Sequence, residues 1–176
     1  HAARLGALLQ GRHRPSMMVG PREACDAFWW AWAPGTPIAR WNDQRLLVCH
    51  EAPPGGPVPG FRRARPDELA EVIRLSAAME CEDIGRRPLD EDAVGFAAVV
   101  QRRIEHGQTW ILERERRIAF LINVGTSTTW GVQVGGTYVP PDLRGRGLAR
   151  EGMTEMVRRL RARHPVRTTC QCLRLT

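Results

Sequence analysis

One passage of this sequence concentrates groups able to hold an anion: Gly135-Gly-Thr-Tyr-Val-Pro-Pro-Asp-Leu-Arg-Gly-Arg-Gly-Leu-Ala149. An apolar strand pattern ends at Val139, and two prolines forbid its continuation. A loop punctuated by Gly145 and Gly147 then opens directly into an amphipathic helical pattern. The first backbone N–H groups of such a helix have no partner within it. Glycine lets backbone approach a ligand closely, and the helix dipole favours negative charge at that end. Arg144 and Arg146 add guanidinium forks that match phosphate oxygens. The chemistry served by this spacing is the binding of a phosphate or diphosphate. Two widespread cradles are excluded, since G-x-x-x-x-G-K-[ST] needs a lysine and G-x-G-x-x-G meets Arg150 at its third glycine. A plain left-handed turn flanked by solvated arginines is the simpler alternative.

The other chemistry-bearing residues form no comparable constellation. Five cysteines (Cys25, Cys49, Cys81, Cys170 and Cys172) are scattered and odd in number, which argues against a disulfide framework and for a reducing, cytoplasmic setting. Cys170 and Cys172 offer two ligands where a closed zinc site takes about four, so no metal is expected. His50 and His106 stand in no catalytic spacing. All 26 cationic side chains are arginine, and the absence of lysine removes Schiff-base and lysine-nucleophile chemistry. Set against 19 acidic residues they leave a net charge of +7. Those arginines are spread along the whole chain in a composition typical of GC-rich coding, so the charge is not read as a nucleic-acid footprint. No apolar run approaches the roughly 18–20 residues of a membrane span. No signal peptide is visible, and a start at His1 suggests a chain that begins mid-protein.

Punctuation divides the chain. Residues 51–60 hold four prolines and three glycines and read as a linker. Upstream, 1–50 reads as a small lobe: a helix over 3–10, a strand over 16–19, a helix over 21–32 and a strand over 46–49 that closes it. Phe28, Trp29, Trp30 and Trp32 are expected to be its core. Downstream, 61–176 reads as one α/β domain. A short strand at 61–64 leads to helices over 66–79 and from an Asp90 N-cap to Gly107. Strands follow over 109–112, 118–124 and 130–139, then a helix over 147–163 and a last strand over 166–172. Successive strands without crossover helices predict a mixed, mainly antiparallel sheet flanked by helices.

Arg144-Gly145-Arg146-Gly147-Leu148-Ala149 fits the [RQ]-x-x-G-x-[GA] signature of the Gcn5-related N-acetyltransferases (GNAT), and the Val-Pro-Pro-Asp-Leu lead-in fits as well. The chain resembles this family over roughly residues 58–165, where the element order also follows the fold. The first 55 residues resemble a domain that precedes GNAT domains in some bacterial proteins. The resemblance implies acetyl-CoA as cosubstrate, with its diphosphate on the amides of Arg144, Gly145, Arg146, Gly147, Leu148 and Ala149. It implies that the strand end Thr137, Tyr138 and Val139 pairs with the pantetheine arm, and that one backbone N–H there polarises the thioester carbonyl. The acceptor would be a small-molecule or peptide amine, with neither nucleic acid nor membrane as partner. Because the bend between the first two domain helices lines the acceptor site in this fold, Glu80 and Glu82, with Asp83 beside them, are the candidate bases; a solvated acidic helix end is the plain alternative. The sequence also departs from the family. No carboxylate lies between 130 and 139, and its one tyrosine, Tyr138, stands on the strand rather than on a later helix. Only 27 residues follow Ala149, so the usual C-terminal elements are expected to be missing. A non-catalytic acyl-CoA-binding or structural module is the alternative function, and an arginine-rich nucleic-acid binder ranks last.

Overall fold

The structure, a computed structural model, describes residues 1–12, 18–38, 41, 43–49, 51, 53–129, 131–163 and 167–173. It divides into two units, His1–Asn42 and Asp43–Thr176.

The first unit pairs α1 (Ala2–Leu9) with α2 (Arg22–Trp32). The two helices meet at Gly6, where a Cβ would collide with the carbonyl oxygen of Phe28. The aromatic residues of α2 do not form the expected core. No residue of α2 is buried, and Trp30 is 60% exposed. The rings cover one another along the helix instead, with centroids 5.3 Å apart for Trp29 and Trp32 and 6.3 Å for Phe28 and Trp32. Two short helices have too little surface to enclose four large rings. The strand expected over 16–19 falls partly outside the described residues, and Met18 and Val19 are not in a strand.

The second unit is built on a six-stranded sheet: β1 (Gln44–Cys49), β2 (Phe61–Arg63), β3 (Thr109–Arg114), β4 (Arg117–Ser127), β5 (Gly131–Tyr138) and β6 (Arg167–Leu173). The strand order is β1-β6-β5-β4-β3-β2, and every pair is antiparallel except β5 and β6. The expected boundary at residue 50 is corrected by β1. Gln44–Cys49 does not close the first lobe; it pairs with β6 from Gln44↔Leu173 to Cys49↔Thr168. The edge of β6 supplies the backbone partners that an isolated strand lacks. Residues 51–60 therefore join the two opposite edges of one sheet rather than two domains. Prolines and glycines keep the described ones out of regular structure, yet Val58 packs against the core.

Three helices flank the sheet: α3 (Leu69–Ile84), α4 (Pro88–Glu105) and α5 (Leu148–Arg163). Alternation along β3 separates two cores. Ile111 packs in the cluster of Val72 and Leu75 on α3 and Val100 on α4. Trp110 and Leu112 face the opposite cluster, with Met156 and Leu160 of α5. Burying each such side chain contributes roughly 1.5–3 kcal/mol. Among the described residues, no helix is long and apolar enough to cross a membrane.

Two helix boundaries differ from expectation. α3 runs on to Ile84 and ends at Gly85, whose φ of 66° suits glycine. Glu80 and Glu82 thus lie in its last turn, not in a bend. In α4 the cap falls on Asp92 rather than Asp90. Pro88 starts an initial turn that breaks at Asp92 (φ −158°, ψ 79°), and its Oδ1 then accepts the Gly95 N–H at 2.9 Å.

A buried carboxylate fastens α5 to the 51–60 connection. Glu155 is fully buried, and Arg158 grips both its oxygens at 2.8 and 2.7 Å. Arg159 adds a bond at 2.6 Å and the Val58 N–H one at 3.3 Å. The Arg158 bonds, then those from Arg159 and Val58, outweigh burial and bring the carboxyl down to about 2. A glutamate in the unfolded chain titrates near about 4.3. The stabilisation is therefore complete above the unfolded value and is lost as pH falls towards the folded one. Glu155→Gln is expected to cost about 1.5–3 kcal/mol at neutral pH. Thermal melts should show that gap closing between about pH 5 and pH 2.

Candidate functional site

The site forms where the sheet parts. β5 pairs with β6 only from Gly131↔Arg167 to Val134↔Cys170, and beyond that β6 continues against β1 alone. Residues 135–138 keep β4 on one side and, among the described residues, no strand on the other. Between the pairs Leu121↔Tyr138 and Asn123↔Gly135, β5 carries one extra residue, a bulge. Gly136 takes it up at φ 60°, against the side chains of Asn123 and Met79. Asn123 is itself fixed by Thr109, whose hydroxyl donates to Oδ1 at 2.8 Å.

From the end of β5 the chain makes a 3-10 turn, Pro141–Leu143, and enters α5 through Arg144 to Gly147. Gly145 and Gly147 have φ of 75° and 79°, and a Cβ on either would meet no protein atom within 4 Å. The first bond of α5 runs from the Glu151 N–H to the Gly147 carbonyl, so the amides of Leu148, Ala149 and Arg150 precede the helix's own bonding. Arg146 donates to the Asp142 carbonyl at 3.2 Å, and Asp142 pairs with Arg117 at 2.8 Å, which holds the turn. Leu148 is buried in the α5-side core and anchors the helix start. Open space before two left-handed glycines at a helix N-terminus fits a diphosphate.

A carboxylate stands at the same end of β5. Glu82 Oε1 accepts the Tyr138 hydroxyl at 2.8 Å, and its Oε2 accepts Arg144 Nη2 at 2.6 Å. Arg144 also donates from Nε to the Val139 carbonyl at 3.0 Å and lies 5.5 Å from the centre of the Tyr138 ring. Burial acts to raise Glu82, but the bonds from Arg144 and Tyr138 prevail and hold its carboxyl below the ordinary value. Tyr138 is raised, by burial first and then by the Glu82 carboxylate. Asp83 is also raised, by burial and then by the charge of Glu82.

Glu82, Tyr138 and Arg144 are thus brought together across separations of 56 and 62 residues in sequence. Thr137 and Val139 lie half-buried on the free stretch of β5 and just past it. Glu80 is not brought to this point. Its carboxylate pairs with Arg86 at 3.2 Å, which ties α3 to the turn that follows it. The side-chain position of Tyr138 was not foreseen: it is 6% exposed and packs in the core on the α3 face. Its hydroxyl aims at Glu82 through tertiary packing, and no local pattern signals that.

No protein-family model matches the chain, and no curated protein does. Solved structures do match. A GNAT-family acetyltransferase from Colwellia psychrerythraea superposes with a TM-score of 0.56 over 76% of this chain, at 12% identity. A GNAT-family protein from Novosphingobium aromaticivorans covers 98% of this chain and 67% of its own, with a TM-score of 0.58 and 20% identity. The fold is GNAT-like. The chain spans about half of the Colwellia protein, 47% of its length. β5 thus parts from β6 after Val134, and the glycine turn follows the end of β5.

Proposed function

We propose that the chain is an acyl-CoA-dependent N-acyltransferase domain that passes an acetyl group to an amine. The observation that carries this reading is one locus: an open glycine turn at the start of α5, the edge of β5 that no described strand pairs, and the Glu82 carboxylate bonded to both Tyr138 and Arg144. Bound acetyl-CoA would supply a thioester: the carbon–nitrogen bond to the amine would form, the carbon–sulfur bond would break, and CoA would leave as a thiolate that takes its proton from water. The chain's own work is to hold, orient and accept a proton. The amides of 145–149 and the Arg144 guanidinium would hold the diphosphate, each bond to charged phosphate adding about 1.5–3 kcal/mol. The free edge over 135–139 would hydrogen-bond the extended arm, as strand edges do. The Val139 N–H would face the carbonyl oxygen, an electrostatic role that needs no side chain. Glu82 would take the proton from the attacking amine, directly or through one water. Asp83, the next residue on α3, would be the second candidate acceptor.

Release of free thiol from acetyl-CoA over a panel of amines, polyamines and peptide N-termini tests this. Amine-dependent release supports transfer. Saturable binding without release on any amine would favour a non-catalytic acyl-CoA-binding module.

A further inference from the structure

We infer that Glu82 and Arg144 form a latch, which the diphosphate opens by drawing Arg144 away, so that the base is released from its cation when the acyl donor is in place. The inference rests on the acyl-CoA reading above. Arg144 adjoins the glycine turn, yet its contacts run to Glu82, to the Val139 carbonyl and over the Tyr138 ring. These hold the guanidinium against α3 and the end of β5. Both oxygens of Glu82 are engaged, one by Arg144 and one by Tyr138. In this arrangement each oxygen of Glu82 already accepts one hydrogen bond, the stronger of them from a cation, so its charge is partly spent before an amine arrives.

The latch is weak enough to open. The Arg144 and Glu82 side chains are 47% and 42% exposed, and an ion pair so solvated shifts an equilibrium by about two- to fivefold. A diphosphate offers the same guanidinium several charged oxygens and bidentate geometry, beside the first amides of α5, which precede the helix's own bonding. When Arg144 turns to it, Oε2 of Glu82 is released while Tyr138 keeps the carboxylate directed at the end of β5. Two consequences follow. Glu82 competes with the cosubstrate for Arg144, so removing its charge tightens binding. An amine arriving before the diphosphate meets a carboxylate still paired with Arg144, and so a weaker base.

Calorimetric titration of unreactive CoA into the wild type, E82Q, R144A and the double variant tests the latch. Both residues are exposed, so the variants should fold. E82Q is expected to bind CoA about two- to fivefold more tightly, and R144A more weakly. In the R144A background the gain from E82Q should vanish, since the competition has no object left. In turnover, E82Q should lower both kcat and the KM for acetyl-CoA. Tightening of equal size with and without Arg144 would show that Glu82 merely repels the anion, and would overturn the latch. So would unchanged or weaker binding by E82Q. The underlying reading fails separately: if the wild type binds no CoA, or Gly147→Val binds it equally well, the cradle itself is wrong.

Discussion

Glu82→Gln is expected to lower kcat by about 10²–10⁴-fold, the usual contribution of a positioned general base. Glutamine keeps the shape and can still accept the Tyr138 hydroxyl, but it cannot take the proton of the attacking amine. The loss should appear in kcat while acetyl-CoA binding is not weakened, which separates loss of the base from loss of the site. Glu80→Gln should cost far less, because Glu80 is engaged with Arg86 at the start of the α3–α4 connection. Steady-state kinetics on a responsive amine, with Kd for acetyl-CoA measured in parallel, checks both. Equal losses in the two variants would mean that neither carboxylate is the base.

Gly147→Val should weaken acetyl-CoA binding by at least about 100-fold. Two effects act together. A β-branched residue at φ 79° is strained by about 1–3 kcal/mol, which distorts the turn. Its methyl groups would also project into space where a Cβ meets no protein atom, the space assigned to the diphosphate. Each lost bond to a charged phosphate removes about 1.5–3 kcal/mol more. Gly145→Val, at φ 75°, should behave similarly. Arg150→Ala lies one step further along α5 and should change affinity by less than about threefold, the scale of an exposed charge. Circular dichroism confirms that the variants keep the fold, and calorimetry reads the affinities.

What was legible in the sequence was local. The turn from Arg144 to Gly147 could be read because glycine, proline and helix-start preferences act within a few residues, and the structure places two left-handed glycines there. The strands of the central sheet read as short apolar runs, and their ends differ from expectation by a few residues. What depended on distant partners was not. β1 has an ordinary strand pattern, but nothing near it says that its partner lies beyond residue 166 rather than in its own lobe. The Pro/Gly stretch at 51–60 reads as a linker because its composition forbids regular structure, and that is equally true of a connection across one sheet. The aromatic run on α2 looked like core because large rings usually are, yet its unit has too little mass to enclose them. Asp90 reads as the cap of α4, but the helix breaks at Asp92, and only that break moves the cap there. Glu82, Tyr138 and Arg144 stand out in the sequence for separate reasons, and only the packing of α3 on β5 makes them one cluster.

The central claim is that backbone amides of the glycine turn hold the cosubstrate's diphosphate, and amide NMR tests it residue by residue. In an ¹⁵N–¹H titration with CoA, the largest shifts are expected at 145–149, from new bonds to phosphate oxygens, with a second set along 135–139. Resonances of the first unit, 1–42, should barely move. Shifts confined to that unit or scattered over the arginine-bearing surface, with 145–149 unmoved, would contradict the account.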